Sequence, residues 1–351
     1  MQHIKNLAIL VEPANYTLDL VEKIYRPRGV DYVFIKSESL AGMELCSKSL
    51  DKKSVMELAV WAFKALKTYN VFNVNGYTGR ICITLILMNI LLFRKPFSID
   101  SDTELRIPSN KIKRFVKWLW LHFLFTRKYC YGFAGGNYGH KDLFRHYGMT
   151  EERIFLMPMM VDNAKYSRND VSRPHEPFRF GYLGRLVSIK QVDKVIEALP
   201  KECELHIVGD GEDRVALENM ASGKKVTFHG RTFGEEKIRL LHSLDCLVLY
   251  SNSEPWGLVV NEALASGIPV VVSDRVGARK DLVDGGNPTG LVAKWNDVVD
   301  LTDKMRLIAN DSKLYDTLSS NARKRMEYWS YDLYGKNFDA WLEKISHEKA
   351  V

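Results

Sequence analysis

The chain has 351 residues, 46% of them hydrophobic and 26% charged, and this composition excludes a disordered or fibrous protein. Its length is sufficient for two domains that each bury a core. The formal net charge of +7 is unevenly distributed, because residues 1–150 carry 22 Lys and Arg against 12 Asp and Glu, whereas the rest of the chain carries 28 against 31. This basic excess predicts an anionic partner for the N-terminal part, such as a membrane surface, a lipid phosphate or nucleic acid.

The five cysteines are scattered and include no C-x-x-C pair, which favours reduced, mostly buried thiols in a cytosolic protein. Residues Met1–Lys5 lead directly into a strand-like segment, so no signal-peptide pattern opens the sequence. The longest apolar run, Ile81–Phe93, is interrupted by Thr84 and Asn89 and is shorter than the about 20 residues that span a bilayer. We therefore expect a cytoplasmic protein without a membrane-spanning helix.

Strand-like and helical segments alternate in the first part of the chain, as in βαβ units with a parallel sheet. The predicted strands are Leu7–Val11, Asp31–Ile35, Val71–Val74, Pro96–Ile99, Phe133–Ala134 and Ile154–Met157. The predicted helices are a stretch that ends near Tyr25, Ser54–Leu66, Arg80–Phe93 and one that begins with Asn137 as N-cap and ends at Gly148. The polar stretch Ala164–Pro177 is predicted to be a linker.

A second alternation follows the linker. The predicted strands are Arg179–Leu183, Glu204–Val208, Lys225–Phe228, Cys246–Tyr250, Val270–Ser273 and Gly290–Ala293. The predicted helices are Gln191–Leu199, Arg214–Ala221, Glu235–Leu244, Leu258–Ser266 and Ala278–Val283, followed by a helical region Asp297–Ile345 with a bend at Trp329–Tyr331. Two Rossmann-like domains with a cleft between them are the simplest assembly of these elements.

Two carboxylates with seven residues between them stand out in Tyr250–Val272. Glu254 follows the apolar run Cys246–Tyr250, which is typical of a buried strand, and Glu262 falls in the helical pattern Leu258–Ala265. A loop that leaves a parallel strand and enters a helix is where doubly wound sheets bind ligands. The free N–H groups at such a helix start favour an anion such as a phosphate.

The string E-P-W-G-L-x-x-x-E-A-L-A-x-G-x-P-V-V in this stretch resembles the signature of the retaining GT-B glycosyltransferases of family 4, also called glycosyl transferases group 1. Members of this family transfer a sugar from a nucleotide-sugar donor, and Glu254 and Glu262 match the two glutamates of their E-x7-E motif. The resemblance is dense over Phe180–Leu291 and diffuse over Leu7–Asp162.

The resemblance implies an α/β protein of the GT-B fold, with two Rossmann-like domains facing across a cleft. We predict an acceptor-binding domain over 1–165 and a domain that binds the nucleotide-sugar donor over 166–328. In this family the last helix crosses back onto the N-terminal domain, and residues 329–351 are predicted to take that role.

The resemblance also implies the roles of individual residues. A nucleotide diphosphate carries negative charge that fixed cations at a strand exit can stabilise as it leaves. The predicted catalytic residues are Arg185 and Lys190, which match the family's arginine and lysine at this position, and Glu254, which would hold the donor sugar. The predicted donor-binding residues are Gly184, Gly209, Thr232, Phe233, Trp256, Gly257, Leu258 and Glu262. Among these, Glu262 is expected at the ribose, and Thr232 and Phe233 at the base.

Two aspartates, Asp100 and Asp102, follow a predicted strand of the N-terminal domain. They are candidates for a nucleophilic carboxylate if the reaction is a double displacement, and their D-x-D spacing also resembles a metal-binding motif of another glycosyltransferase fold. We favour acceptor-side or structural roles and predict no obligatory metal. The predicted acceptor-side residues are Asn15, Tyr16, Asp100 and Asp102. The sequence departs from the family in that Glu12–Tyr16 lacks glycine and no histidine lies near Asp100 in the chain.

The segment Lys111–Lys128 contains six basic residues, five aromatic residues and no acidic residue. Basic ends around a Trp/Phe/Leu centre are typical of a helix that lies in a membrane interface. A partly buried helix whose Lys and Arg heads reach water is the alternative, and no nucleic-acid motif accompanies the aromatic residues. The predicted membrane-contact residues are Lys113, Arg114, Lys117, Trp118 and Trp120.

The resulting hypothesis is a metal-independent glycosyltransferase at the inner face of the plasma membrane, which uses a UDP- or GDP-sugar as co-substrate and no obligatory cofactor. Its partners would be the nucleotide sugar, a glycan or lipid-linked acceptor of cell-surface polysaccharide or glycolipid assembly, and an anionic membrane, but no nucleic acid. Alternatives are a soluble sugar synthase or sugar-nucleotide epimerase of the same fold, and a non-catalytic membrane-associated partner protein. An NAD dehydrogenase is disfavoured because Ile207–Gly211 lacks the full G-x-G-x-x-G pattern.

Overall fold

The computed structural model describes residues 4–36, 50–51, 53–168 and 174–348. The chain divides into two compact units. The first consists of Met1–Met159 and Tyr331–Val351, and the second of Met160–Ser330. Among the described residues, no helix is both long enough and apolar enough to cross a bilayer.

Twelve strands and thirteen α-helices make up the described part of both units. The strands are β1 (Asn6–Leu10), β2 (Asp31–Phe34), β3 (Val71–Asn75), β4 (Phe97–Ser101), β5 (Cys130–Ala134), β6 (Ile154–Leu156), β7 (Arg179–Leu183), β8 (Glu204–Val208), β9 (Val226–Gly230), β10 (Cys246–Leu249), β11 (Val270–Ser273) and β12 (Gly290–Ala293). The helices are α1 (Asn15–Leu20), α2 (Val55–Thr68), α3 (Arg80–Met88), α4 (Lys111–Phe125), α5 (Gly139–His146), α6 (Asn163–Tyr166), α7 (Val192–Ala198), α8 (Arg214–Met220), α9 (Gly234–His242), α10 (Leu258–Ala265), α11 (Val298–Asn310), α12 (Ser312–Tyr328) and α13 (Tyr331–Glu348).

The first unit is built on a parallel six-stranded sheet in the order β2-β1-β3-β4-β5-β6. Its strands are short apolar runs, and α2, α3, α4 and α5 bury apolar residues against one sheet face in a shared core. Right-handed crossovers between parallel strands place these helices on the same side. Helix α13 belongs to the same unit, where Trp341 packs 4.8 Å from the ring of Phe133. Arg28 also binds both carboxylate oxygens of Asp339 in α13, at 2.7 and 2.8 Å.

The second unit has a parallel six-stranded sheet in the order β12-β11-β10-β7-β8-β9. The chain runs outward from β7 through β8 to β9, and then returns to place β10, β11 and β12 on the other side of β7. The strand order therefore reverses between β7 and β10, and ligands of doubly wound sheets bind at the carboxyl ends of strands at such a switch point. Two parallel sheets of this kind confirm the predicted α/β class with two Rossmann-like units.

Several elements differ from the sequence-based expectation. The predicted linker contains the short helix α6, while residues 169–173 of that linker lie outside the described part. Helix α5 begins at Gly139 with Tyr138 at the N-cap, so Asn137 is one residue too early to be that cap. The predicted helix Ala278–Val283 is a single π-helical turn over Arg279–Val283. Segments of four or five residues carry too little periodicity to distinguish these alternatives.

Four of the five cysteines, which the sequence predicts to be reduced and mostly buried, lie in the described part of the chain. Cys82, Cys130, Cys203 and Cys246 are buried and carry free thiols. Burial raises the pKa of the Cys82 thiol to about 11. Cys46 lies outside the described residues.

Candidate functional site

The strand exits at the switch point of the second unit bring Lys190 and Glu254 together. Lys190 ends a 3₁₀ turn after β7, and Glu254 lies in the loop after β10, which pairs directly with β7. The Lys190 ammonium group donates a hydrogen bond to the Glu254 carboxylate, and the two side chains are only 18% and 13% exposed. The amide of Asn252 donates to the carbonyl of Ile189 at 2.9 Å, which ties the two loops together. The predicted catalytic pair is thus one ion pair on two adjacent strand exits.

Arg185 lies in the same β7 exit loop as Lys190, with an exposed side chain. Its carbonyl oxygen accepts a hydrogen bond of 2.8 Å from the buried Tyr182 hydroxyl. Burial raises the pKa of that hydroxyl, the negative charge of Glu254 raises it further, and the positive charge of Arg185 opposes the increase. Two cations and one carboxylate therefore share the exits of β7 and β10, an arrangement suited to a phosphate group and a sugar hydroxyl.

Glycine backbones line the exits of β7, β8 and β9. The amide of Gly184 donates to the carbonyl of Val208 at 3.0 Å, and the amide of Gly209 donates to that of Gly230 at 2.8 Å. Gly209 has φ +149°, and a Cβ atom there would lie 1.8 Å from the carbonyl oxygen of Gly184. Only glycine permits this approach of two main chains. The loop that carries Arg185 is thereby packed directly against the exit of β8.

The second glutamate of the motif, Glu262, lies in α10 and is only 7% exposed. The Lys237 Nζ atom of α9 is 2.6 Å from each of its carboxylate oxygens. The Tyr166 hydroxyl of α6 donates to Glu262 Oε1 at 3.0 Å. Sequence reasoning missed both partners, because Tyr166 falls in the predicted linker and Lys237 follows two glutamates in what reads as an ordinary surface helix.

The residues between the two glutamates have different environments. The Trp256 indole is buried, donates to Asn261 Oδ1 at 2.8 Å and stacks on Trp329 with ring centroids 5.6 Å apart. Its side chain therefore packs inside the unit, although the sequence places it among the donor-binding residues. Gly257 has φ +96° and turns the chain into α10, which begins at the half-buried Leu258. Because glycine has no side chain to cap the helix, the N–H groups of its first turn suit an anion.

The two residues predicted at the nucleotide base follow β9. The Phe233 ring is 54% exposed, and the Arg231 guanidinium lies 4.9 Å from its centroid. The neighbouring Thr232 hydroxyl is buried without a hydrogen-bond partner among the described residues. Buried polar groups normally have a partner, and exposed aromatic rings stack on bases. The pair therefore has the chemistry of a base-binding position.

In the first unit, the predicted acceptor-side residue Asp100 is the last but one residue of β4 and is partly buried. It accepts a hydrogen bond of 3.3 Å from the Ser98 hydroxyl, which itself accepts one of 2.9 Å from the amide of Asn73. Burial raises the Asp100 pKa to about 7, the Ser98 hydrogen bond opposes this shift, and the charge of Asp102 adds to it. Asp100 therefore titrates in the range where a carboxyl group can exchange a proton with a hydroxyl at neutral pH.

Replacement of Asp100 by asparagine is expected to stabilise the protein at pH 8. Because the folded pKa of about 7 lies above the ordinary value, the native state retains a proton between about pH 4 and pH 7 that the unfolded chain releases, and stability falls as pH rises through this range. The variant lacks this loss of stability. Its free energy of unfolding should therefore exceed that of the unchanged protein by about 1–3 kcal/mol at pH 8 and by almost nothing at pH 4. Melting temperatures of both proteins across this pH range would measure the difference, and a gain that is equal at both pH values would contradict it.

The other acceptor-side candidates lie at the start of α1 and just after β4. Asn15 begins α1 and is exposed. Burial raises the pKa of the Tyr16 hydroxyl, and the charges of Asp102 and Glu12 add to the increase, to about 12. Tyr16 and Asp102 are therefore electrostatic neighbours. The Nε2 atom of the buried His140 lies 2.9 Å from the carbonyl oxygen of Asp102. Sequence reasoning missed this histidine because it follows β5, far along the chain.

No group of three or more His, Cys, Asp or Glu side chains that could hold a metal ion occurs within residues 4–36, 50–51, 53–168 and 174–348. The metal independence expected from the sequence stays a prediction.

The basic and aromatic helix α4 projects its first turns into solvent. Asn110 caps it by accepting hydrogen bonds of 3.0 Å from the amides of Ile112 and Lys113. Apolar side chains in these turns are strongly exposed, with Ile112 at 75% and Phe115 at 63%. Such neighbouring apolar side chains on a surface mark an interaction site more often than scattered ones do.

The predicted membrane-contact residues of α4 do not all share this exposure. Lys113, Arg114 and Trp118 are exposed, although Arg114 also donates to the carbonyl of Pro108 at 3.1 Å. Lys117 is partly buried and donates to the carbonyl of Arg106 at 2.8 Å. Trp120 packs against the core and donates to the carbonyl of Tyr77 at 3.2 Å, so it does not belong to the exposed face.

The sequence matches to known proteins lie mainly in the second unit. Residues 164–325 match the family model of the glycosyl transferases group 1. Over 162 residues the chain is 32% identical to the sulfoquinovosyl transferase SQD2 of Arabidopsis thaliana, a match that covers 45% of this chain and 31% of that protein. It is 37% identical over 125 residues to a GDP-mannose-dependent alpha-mannosyltransferase of Mycobacterium tuberculosis. This match covers 34% of this chain and 32% of the relative. The chain thus spans about a third of the length of these relatives.

Solved structures resemble both units. The crystal structure of Anabaena Alr3699/HepE in complex with UDP and glucose superimposes with a TM-score of 0.73 and 17% sequence identity, over 97% of this chain and all of that chain. This likeness concerns the fold and confirms the predicted GT-B class. Residues 164–325 therefore resemble the glycosyl transferases group 1, and the chain has the GT-B fold.

Proposed function

We propose that the protein is a retaining glycosyltransferase of family 4 that transfers a hexosyl group from a nucleotide-diphosphate sugar. The observation that carries this proposal is the Lys190–Glu254 pair on two adjacent strand exits at the switch point, one of which also carries Arg185. The matched relatives, which are sugar transferases by name, and the UDP-bound structural neighbour support it. The donor in this proposal is a UDP- or GDP-sugar.

Each part of the site has a task in this reaction. Glu254 accepts hydrogen bonds from hydroxyls of the donor sugar and holds its anomeric carbon in place. Arg185, Lys190 and the first turn of α10 stabilise the negative charge that develops on the departing diphosphate. Glu262 accepts from the ribose, and Thr232 and Phe233 contact the base. Bond cleavage then requires little further side-chain chemistry, because correct placement of the acceptor hydroxyl supplies much of the rate.

The acceptor in this proposal is a glycan or a lipid-linked sugar of cell-surface polysaccharide or glycolipid assembly. The basic excess of the N-terminal part of the chain supports an acceptor that carries phosphate or lies at an anionic surface. Asp100, with its pKa of about 7, is the carboxyl group suited to assist deprotonation of the acceptor hydroxyl.

A melting-temperature screen with nucleoside diphosphates and nucleotide sugars, with and without EDTA, tests the donor. A ligand that binds only the folded state raises its melting temperature. The proposal predicts an increase with the diphosphate of one base, a larger increase with one of its sugar derivatives, and no effect of EDTA. Absence of any shift would favour a non-catalytic role.

We also propose that α4 lies on an anionic membrane at the cytoplasmic side, where it brings the enzyme close to a lipid-linked acceptor. Its exposed Ile112, Phe115 and Leu119 would enter the interface, while Lys111 and Lys113 lie near lipid phosphates. The described part of these turns carries no acidic residue to repel such a surface.

Charge reversal at Lys111 and Lys113 should release the protein from vesicles that contain phosphatidylglycerol. Each lysine near an anionic surface contributes about 1 kcal/mol, so reversal of two should weaken binding at least about 30-fold. Co-sedimentation with vesicles measures this loss. The control is reversal of Lys313 and Lys324, which are exposed in α12. Equal binding by both double variants and the unchanged protein would contradict the role of α4.

A further inference from the structure

Glu262 already has two protein partners, Lys237 and Tyr166, neither of which belongs to the motif that identified it. A carboxylate accepts hydrogen bonds and donates none when ionised. The lysine contacts both oxygens at 2.6 Å, and the tyrosine hydroxyl contacts Oε1 at 3.0 Å. Because Glu262 is 7% exposed, little of its carboxylate remains open to a ligand. These contacts determine which way the remaining acceptor positions point.

The short helix α6 that carries Tyr166 is firmly attached to the second unit. The carbonyl oxygen of Tyr166 accepts hydrogen bonds from Ser266 Oγ at 2.8 Å and from His242 Nε2 at 2.9 Å. The amide of Asn163 donates to the carbonyls of Met326 and Trp329 at 2.7 and 3.0 Å. Four hydrogen bonds on a four-residue helix hold Tyr166 in one position. The Tyr166 hydroxyl is therefore a donor whose position relative to Glu262 is set by the attachment of α6.

The charge of Lys237 has a second consequence. An uncompensated carboxylate in a poorly hydrated site would repel the phosphates of an incoming nucleotide. Lys237 neutralises Glu262 without removing its capacity to accept a hydrogen bond. The Lys237 side chain is 29% exposed, and the Glu262 side chain is 9% exposed, so the neutralised carboxylate lies just below the surface.

We infer that Tyr166 and Lys237 are positioning residues that hold the Glu262 carboxylate as a charge-compensated acceptor for the vicinal hydroxyls of a ribonucleotide. This inference rests on the proposed transferase function and extends it, because it makes the site selective for ribose and includes α6, which sequence reasoning assigned to the linker. Neither residue needs to touch the sugar that is transferred.

The first test compares UDP and GDP with their 2′,3′-dideoxy forms by calorimetry. Tyr166→Phe removes one hydroxyl without a change in charge. It should lower the affinity for the ribonucleotide about 3- to 10-fold and the affinity for the dideoxy form less than about 2-fold. Equal losses for both forms, or no ribose preference in the unchanged protein, would overturn the inference. Lys304→Met, which breaks a half-buried pair with Asp300 in α11, should leave both affinities unchanged.

The second test separates compensation of charge from direct contact. Lys237→Met should lower the affinity for the nucleoside diphosphate at least about 10-fold, because Glu262 becomes an uncompensated charge. Adding Glu262→Gln should restore most of that affinity but not the preference for ribose, and Lys237→Arg should retain both. A double variant as weak as Lys237→Met would overturn the role of Lys237. If the unchanged protein binds no nucleotide at all, the proposed function fails together with this inference. Binding with an unaltered ribose preference in all variants rejects the inference alone.

Discussion

Replacement of Lys190 by alanine is expected to lower the rate of sugar transfer about 100- to 1,000-fold, as removal of one charge-stabilising group from an active site commonly does. The lysine side chain is 18% exposed beside Glu254, so its charge acts where water screens it weakly. The negative charge of the diphosphate grows as the bond to the sugar breaks, so the interaction is stronger in the transition state than in the bound donor. Affinity for the free nucleoside diphosphate should fall much less than kcat.

Steady-state kinetics together with calorimetric binding would separate these effects. Lys194→Ala is a suitable control, because Lys194 lies four residues away and forms a surface pair with Glu197 at 2.9 Å. It should change neither kcat nor affinity. If Lys190→Ala lost affinity and kept its turnover number, Lys190 would serve binding alone and its role in bond cleavage would be refuted.

Gly209→Ala is expected to destabilise the second unit by about 3–5 kcal/mol and to abolish nucleotide binding, since main-chain overlap and a strained φ act together. The new Cβ atom would lie 1.8 Å from the carbonyl oxygen of Gly184, and neither main chain can yield without loss of a strand-exit hydrogen bond. The loop that moves is the one that carries Arg185, so the candidate diphosphate site would be displaced with it.

Gly223→Ala provides the matched control for that experiment. Gly223 also has a positive φ, of +78°, but a Cβ atom there would meet nothing within 4 Å. Its replacement therefore tests backbone strain alone and should cost about 1 kcal/mol with nucleotide binding retained. Urea unfolding of the two variants would compare the losses. Equal destabilisation would show that the contact between the loops contributes little.

Local sequence pattern predicted the strands of both units well, because a buried parallel strand is a short apolar run between polar loops. The motif from Glu254 to Glu262 likewise located a strand exit and the following helix within a residue or two. Helix α6 could not be predicted in this way. Its four residues have no useful periodicity, and its stability comes from Asn163 and Tyr166 bonding to distant segments.

The environment of single side chains was harder to predict than the elements that carry them. Trp256 lies within the motif, yet its indole stacks on Trp329 inside the unit, a contact that depends on tertiary structure. Lys237 in α9 reaches Glu262 in α10, and His140 in α5 reaches Asp102, only through tertiary packing of segments that are separate in the chain. Position along the chain indicates which edge a residue occupies, but not which neighbour it meets there.

The proposed function requires that the Lys190–Glu254 site cleave a nucleotide-diphosphate sugar. The most direct measurement is the release of nucleoside diphosphate from UDP- and GDP-sugars by the purified protein, with Lys190→Ala assayed in parallel. We expect slow release from one donor by the unchanged protein, no loss of that release in EDTA, and almost no release by the variant. Equal release by both proteins, or none from any donor that the unchanged protein binds, would contradict it.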